Sequence, residues 1–454
     1  IVLLLGDTEI IKHLCLTINK IKNFKGKLIP YLPLDVNNAS PEWFHYKKDF
    51  LLTVSKHSKK QFLNMHKNDK EDIHTGNVEE FPHLIEESRF SVLDNQEIYS
   101  LKKKLYGDKY KDYFVVGSVN CNCFRKKWDV LIDSFCFFAK KYPKSILVLK
   151  TTGNNEKDDC VYGGYNITNL ILKYCNNYNI DSRRLILIDR HLSFSELNNL
   201  YNTFDVFLTT TSGEGWGLTA IEAALVKTPI IAPKCTTFPE IFGDDYGGLF
   251  PVKQFSIYIA RTNCYIDIEN NKVNGLFNTI CIGYKSYKKE NIEFTEELLN
   301  LTTEYPTLLI SKNNVDINIK DIDIFKIFSS YEECLNFIDS ENCPHIFQVV
   351  IEIDFNILNE CLYEIDNNIF FKTHHYHKII HLEKKIVDNS CNINNNPTCG
   401  IGSIRQISNK LSDLYLNEDK RNKYGDQVYN KVKGRYIHDR IKKRFNEIMD
   451  KWDL

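Results

Sequence analysis

Long apolar runs are missing from this chain of 454 residues. Nothing approaches the ~18 consecutive apolar residues of a membrane span, and the opening Ile-Val-Leu-Leu-Leu is far too short. Net charge is also nearly absent, at −1 from 58 basic and 59 acidic residues. No strong overall field therefore favours nucleic acid or an anionic membrane, and any basic site must be local. Methionine occurs only at Met65 and Met449, and the chain opens on Ile1, so we expect the natural start to lie upstream. The 14 cysteines lack regular spacing, with Cys121-Asn-Cys123 the only tight pair. That excludes a disulfide framework and fits reduced thiols in a cytoplasmic protein. Gly-x-Gly-x-x-Gly between strand and helix is missing too, since neither Gly117-Ser-Val nor Gly163-Gly-Tyr forms it. A nicotinamide-dependent oxidoreductase is disfavoured on that ground. His374-His-Tyr-His377 with His381 has no flanking cysteine or carboxylate pattern, so it reads as a polar surface strand rather than a metal site.

What is present alternates. The length predicts two to four structural units. Apolar strands are expected at Ile1–Gly6, Leu28–Asp35 and Phe50–Val54, and Ser55-Lys-His-Ser reads as a helix entry in which a hydroxyl caps free amides. This first region, residues 1–95, holds too few elements for a whole doubly wound domain. Charged, tyrosine-rich residues 96–112 read as a linker or linker helix. A fresh α/β unit over 113–252 carries strands at Tyr113–Val119, Ser145–Leu149 and Arg184–Ile188, with Val130, Leu131, Phe135, Phe138 and Tyr142 on one helical face. Ser193-Phe-Ser-Glu196 has capping-box form. Such alternation implies a parallel sheet with helices on both faces. The βα pattern lapses over 253–400, which we read as an inserted α+β module, and residues 401–454 return as helices, with Ile404, Ile407, Leu411 and Leu414 in one stripe.

The chain is organised around Thr209-Thr-Thr-Ser-Gly-Glu-Gly-Trp-Gly-Leu-Thr-Ala-Ile-Glu222 and the strand ending at Pro233. Val206–Thr210 enters as a strand, Gly213, Gly215 and Gly217 permit a tight turn, and Leu218, Ile221 and Leu225 recur at helical spacing. Ligands are expected beyond the carboxyl ends of parallel strands, where this turn lies. A helix starting near Gly217 points free amides and the positive end of its dipole at that cleft. Arg125-Lys126-Lys127 brings fixed positive charge to the same edge, which suits a diphosphate leaving group. Taken singly, each part has an ordinary explanation: Arg-Lys-Lys as a solvated helix start, Glu222 as an exposed helix residue, the glycines as turn geometry. Their order and joint placement carry the reading.

The run Ser212–Leu225 with Thr228-Pro-Ile-Ile-Ala232 resembles the Glu-x7-Glu motif of retaining, family-four-type glycosyltransferases (glycosyl transferases group 1) with the GT-B fold. The resemblance extends to Gly117–Phe135, Leu197–Val206, Phe238–Gly243, Gly247–Pro251 and the closing helices, and more weakly to Asp49–Ser58 and His74–Val78. It covers all but the insertion. It implies an α/β, GT-B-like architecture of two Rossmann-like doubly wound domains, the first truncated. It also implies transfer of a sugar from a nucleotide-diphosphate-sugar donor to an acceptor hydroxyl, with retention of anomeric configuration. By the same resemblance Glu214 contacts the donor sugar's hydroxyls, Glu222 holds the ribose hydroxyls, and Arg125 and Lys126 hold the diphosphate, with Lys127 the alternative if the register slips by one. The glycine turn, with Gly215, Trp216, Gly217, Leu218 and Thr219, completes the donor site. Ser118 joins it, and Arg190 and His191 are candidates for the base. No cofactor and no metal are expected. The acceptor, whether glycan, lipid or protein, is left open, as is peripheral membrane contact, and no nucleic acid is expected. The competing expectation is a catalytically silent relative that binds nucleotide-sugar or a protein partner.

Overall fold

The computed structural model describes residues 1–6, 8–21, 25–34, 50–65, 77–151, 164–260 and 401–454, together with Glu333 and the strand segments given below for residues 265–391. The resembling residues His74–Gly76, the glycine at 163 and the histidines at 374, 375, 377 and 381 lie outside the described residues. The chain forms two compact units, one of residues 1–251 with 406–454 and one of 252–405.

The first unit contains two parallel sheets. In the first, β1 (Val2–Leu5), β2 (Leu28–Leu32), β3 (Leu51–Thr53) and β4 (Val78–Glu80) lie in chain order, each parallel to the next. Helices α1 (Thr8–Asn19) and α2 (Lys56–Met65) accompany them. Successive side chains of a strand point to opposite faces, and β2 shows the result. Leu28 and Leu32 pack with Ile11, Cys15 and Phe62, whereas Ile29 and Tyr31 join the larger core that includes Ile448, Met449 and Trp452.

Helix α3 (Asn95–Tyr106) occupies most of the charged stretch 96–112, started by a capping box between Asp94 and Glu97. It is anchored at its end by Tyr106 Oη, 2.5 Å from Thr203 Oγ1. The second sheet follows, with β5 (Phe114–Val119), β6 (Ser145–Thr151), β7 (Leu185–Asp189), β8 (Val206–Leu208), β9 (Ile230–Pro233) and β10 (Leu249–Phe250). All are parallel, in the order β10-β9-β8-β5-β6-β7. The crossovers are α4 (Trp128–Lys141), α5 (Ile167–Tyr178), α6 (Phe194–Asn202), α7 (Leu218–Leu225) and α8 (Phe238–Phe242). Ile146 to Leu149 are wholly buried, as expected of a parallel strand covered on both faces. Burying each such side chain stabilises by about 1.5–3 kcal/mol. The α/β class expected from the sequence is the class observed.

The tail forms α9 (Ile404–Leu416), α10 (Glu418–Val432) and α11 (His438–Lys451). The stripe Ile404, Ile407, Leu411 and Leu414 is buried. Trp452, just past α11, stacks on Phe50 with ring centroids 4.5 Å apart. Glu79, on β4, pairs with Lys59 and Arg444 and with Lys451 at the end of α11.

The second unit is built on a mixed sheet. The strand Val252–Ala260 lies between Thr279–Ile282, which is antiparallel to it, and Ile346–Glu352, which is parallel. Thr307–Ile310 and Ile324–Phe328 continue the sheet in parallel. Short pairings join Tyr265–Asp267 to Lys272–Asn274, Tyr287–Lys288 to Ser390–Cys391, and Asn368–Phe371 to both Leu362–Ile365 and Lys378–Ile380. Val252 and Lys253 pair antiparallel with Gly402 and Ile401, so the first and last strands of the unit meet at their ends.

Candidate donor site

The second sheet reverses direction at its middle. From β5 the chain goes out to β6 and β7, then returns across β5 to build β8, β9 and β10 on the other side. Such a switch point opens a crevice outside the carboxyl ends of the two central strands. Here those ends lead into residues 120–127 after β5 and 209–217 after β8, which carry the basic triplet and the glycine turn.

The two loops are stitched together. Phe124–Lys126 makes a single tight helical turn. The Arg125 carbonyl accepts from the Ser212 amide at 2.8 Å, and the Lys127 carbonyl accepts from Thr210 Oγ1 at 2.8 Å. Glu214 is thereby set against the basic pair, with Lys126 Nζ 2.5 Å from Oε1 and Arg125 Nη1 3.0 Å from Oε2. Arg125 also donates to the Gly213 carbonyl. Glu214 is only 7% exposed. Burial alone would raise its pKa, but the Lys126 and Arg125 charges outweigh it and hold the carboxyl down at about 2.

A third loop fixes the turn from behind. Thr236, in the left-handed region at φ 49°, accepts the Glu214 amide on Oγ1 at 3.1 Å. Thr237 Oγ1 donates to the carbonyls of Trp216 and Glu214 at 3.3 and 3.4 Å. Gly217 at φ 85° begins α7 without a side-chain cap, which leaves the first amides, at Leu218 and Thr219, oriented for an anion. A Cβ on Gly215 would stand 2.6 Å from Pro33 Cβ, so the end of the first sheet closes directly on the glycine turn. Beside it Trp216 packs edge-on against Tyr436 at 4.8 Å and against His83 at 6.3 Å. Its indole N–H is buried with no hydrogen-bond partner. His83 Nδ1 lies 2.8 Å from Tyr31 Oη, and burial lowers the imidazole pKa.

Other expected residues stand differently. Glu222 is held by α6, accepting from Tyr201 Oη at 2.7 Å, and burial raises its pKa. Lys127 does not join Glu214. It is buried, sits at φ 53° as the residue before α4, and loses basicity to burial despite Asp129. Ser118 is fully enclosed, 3.5 Å from Asn120 Nδ2. Arg190 is exposed, paired with Glu196 at 2.8 Å and donating to the His191 carbonyl at 3.1 Å. The Cys121 and Cys123 sulfurs are 3.7 Å apart, and the Cys121 carbonyl accepts from the Trp128 indole. No sequence signal marks Pro33, Tyr201, Thr236 or His83 as part of this site. A positive φ at a threonine has no signature in sequence, and the other contacts join distant segments.

Residues 188–259 match the family model described as "Glycosyl transferases group 1". The matched stretch contains Glu214, the glycine turn and Glu222, and leaves Arg125 and Lys126 outside it. Among curated proteins none is similar enough to count as a match. Solved structures similar to this chain include Anabaena HepE in complex with UDP-glucose, at 16% identity and TM-score 0.38 over 48% of this chain and 56% of that one. Sucrose-phosphate synthase from Thermosynechococcus elongatus is similar at 15% identity and TM-score 0.42, over 55% of this chain and 60% of that one. The trehalose-6-phosphate synthase OtsA is similar at 14% identity and TM-score 0.40, over 53% and 59%. The chain thus spans somewhat over half the length of these structures. Two parallel α/β sheets, the second doubly wound, are the architecture expected of a GT-B protein.

Proposed function

We propose that this chain carries the donor half of a glycosyltransferase that moves a sugar from a nucleotide-diphosphate-sugar to an acceptor hydroxyl, with retention of configuration. The observation that carries the reading is the convergence of Arg125, Lys126, Glu214 and the uncapped start of α7 at the switch point of the second sheet. Guanidinium and ammonium groups neutralise the diphosphate, and the amides of Leu218 and Thr219 add oriented dipoles. Together they stabilise charge that grows as the sugar bond breaks, so the leaving group needs no metal. The departing phosphate takes the proton of the acceptor hydroxyl. A carboxylate accepts two hydroxyl hydrogen bonds at once, which suits Glu214 to the sugar and Glu222 to the ribose after release from Tyr201. Donor hydrolysis or transfer, assayed over a panel of nucleotide-sugars, tests the reading. Arg125→Ala and Glu214→Ala are each expected to lower turnover at least a hundredfold, and unaltered turnover in both would sink the assignment.

A further inference from the structure

The two cations read as diphosphate ligands already hold an anion. Glu214 Oε1 and Oε2 each take one of them, at 2.5 and 3.0 Å, and the side chains of Lys126 and Glu214 are each only 9% exposed. The trio therefore keeps a single net positive charge, whereas a donor diphosphate brings two negative charges. The Lys126 ammonium and the Arg125 Nη1 that would face phosphate oxygens face the carboxylate instead, so a bound diphosphate competes with Glu214 for them.

The surroundings localise any rearrangement to one side chain. Thr236 and Thr237 bind the Glu214 and Trp216 backbone, and Ser212 is tied to the Arg125 carbonyl. With the backbone of the turn pinned, a change at Glu214 falls to its side-chain bonds. Arg125, 24% exposed, forms the open edge of the trio.

We propose that Glu214 is an exchangeable anion: it occupies the cation pair in the nucleotide-free protein, yields the pair to a donor diphosphate while turning to the sugar's hydroxyls, and reclaims it once the sugar has left. The donor compensates the carboxylate for its lost cations with hydroxyl donors. A nucleoside diphosphate without a sugar offers none, so the carboxylate competes with it and speeds its departure. Glu214 would then discriminate donor from product and set product release. This inference rests on the donor reading above.

Isothermal titration of the full chain with inorganic pyrophosphate, an anion without sugar or base, tests the exchange. Glu214→Gln, which removes the competing charge at nearly constant shape, is expected to bind pyrophosphate at least tenfold tighter than the wild type. Glu214→Asp, which keeps the charge, is expected to stay within about threefold of the wild type. Equal or weaker binding by the Gln variant overturns the proposal. Should that variant not fold, the wild type answers through the Glu214 carboxyl resonance in 13C-glutamate-labelled protein. With Arg125 and Lys126 taken by pyrophosphate, and the Cys235 thiol in electrostatic reach of it, that carboxyl should titrate at clearly higher pH than in the free protein. An unmoved titration overturns the exchange. The two readings fail separately. Nucleotide-sugar binding without the pyrophosphate effect removes only the exchange, and the pyrophosphate effect without binding of any nucleotide-sugar removes the donor reading.

Discussion

A carboxylate enclosed between an arginine and a lysine ties stability to pH. Glu214 titrates at about 2 in the folded protein against about 4.3 for an unperturbed glutamate. Its folded pKa is depressed, so its contribution is complete above about pH 4.3 and is lost as pH falls toward 2. The total is on the order of 3 kcal/mol. Urea unfolding between pH 6 and 3 should show wild-type stability falling on acidification by more than that of Glu214→Gln, and parallel curves would contradict the assigned pairing. The residues of this trio were legible because each lies in the loop after an apolar strand, and a parallel sheet puts such loops on one edge. Their mutual pairing was not. A charged triplet and a glutamate 88 positions apart carry no sign in sequence that one will neutralise the other.

Helices and strands were the most readable level, because an apolar run or a 3.6-residue stripe survives without knowledge of its partner. The stripe Ile404, Ile407, Leu411 and Leu414 is the clearest case, since all four are buried on α9. How helices pack was unreadable, and α10 shows why. A Cβ at Gly425 would lie 2.2 Å from the Lys227 carbonyl oxygen just after α7. A backbone atom cannot move aside as a flexible side chain can. Gly425→Ala should therefore cost about 1–3 kcal/mol, although alanine is the better helix former. Equilibrium denaturation checks it, and a stabilised variant would mean that α10 does not press on the end of α7. Because α7 carries the amides proposed to bind the diphosphate, the same substitution should also weaken diphosphate binding.

For the whole molecule, the alternation of strands and helices predicted parallel sheets, and the first unit contains two. Strand order was beyond the sequence. It places the β5 and β8 loops side by side at the reversal of the sheet and so makes a site from segments remote in the chain. The join between the first sheet and the rest was equally hidden. It depends on Phe50 stacking with Trp452 and on Glu79 collecting three cations, two of them from α11. The central claim, that this crevice takes a nucleotide-sugar through its diphosphate, is tested most directly by calorimetric titration of the chain with UDP-, GDP- and ADP-sugars, repeated on Lys126→Ala and on Lys420→Ala, a basic residue of α10 that is no part of the crevice. At least one donor should bind saturably, weaken tenfold or more in Lys126→Ala and stay unchanged in Lys420→Ala. Equal affinity in wild type and Lys126→Ala, or no binding of any donor by the wild type, would contradict the account.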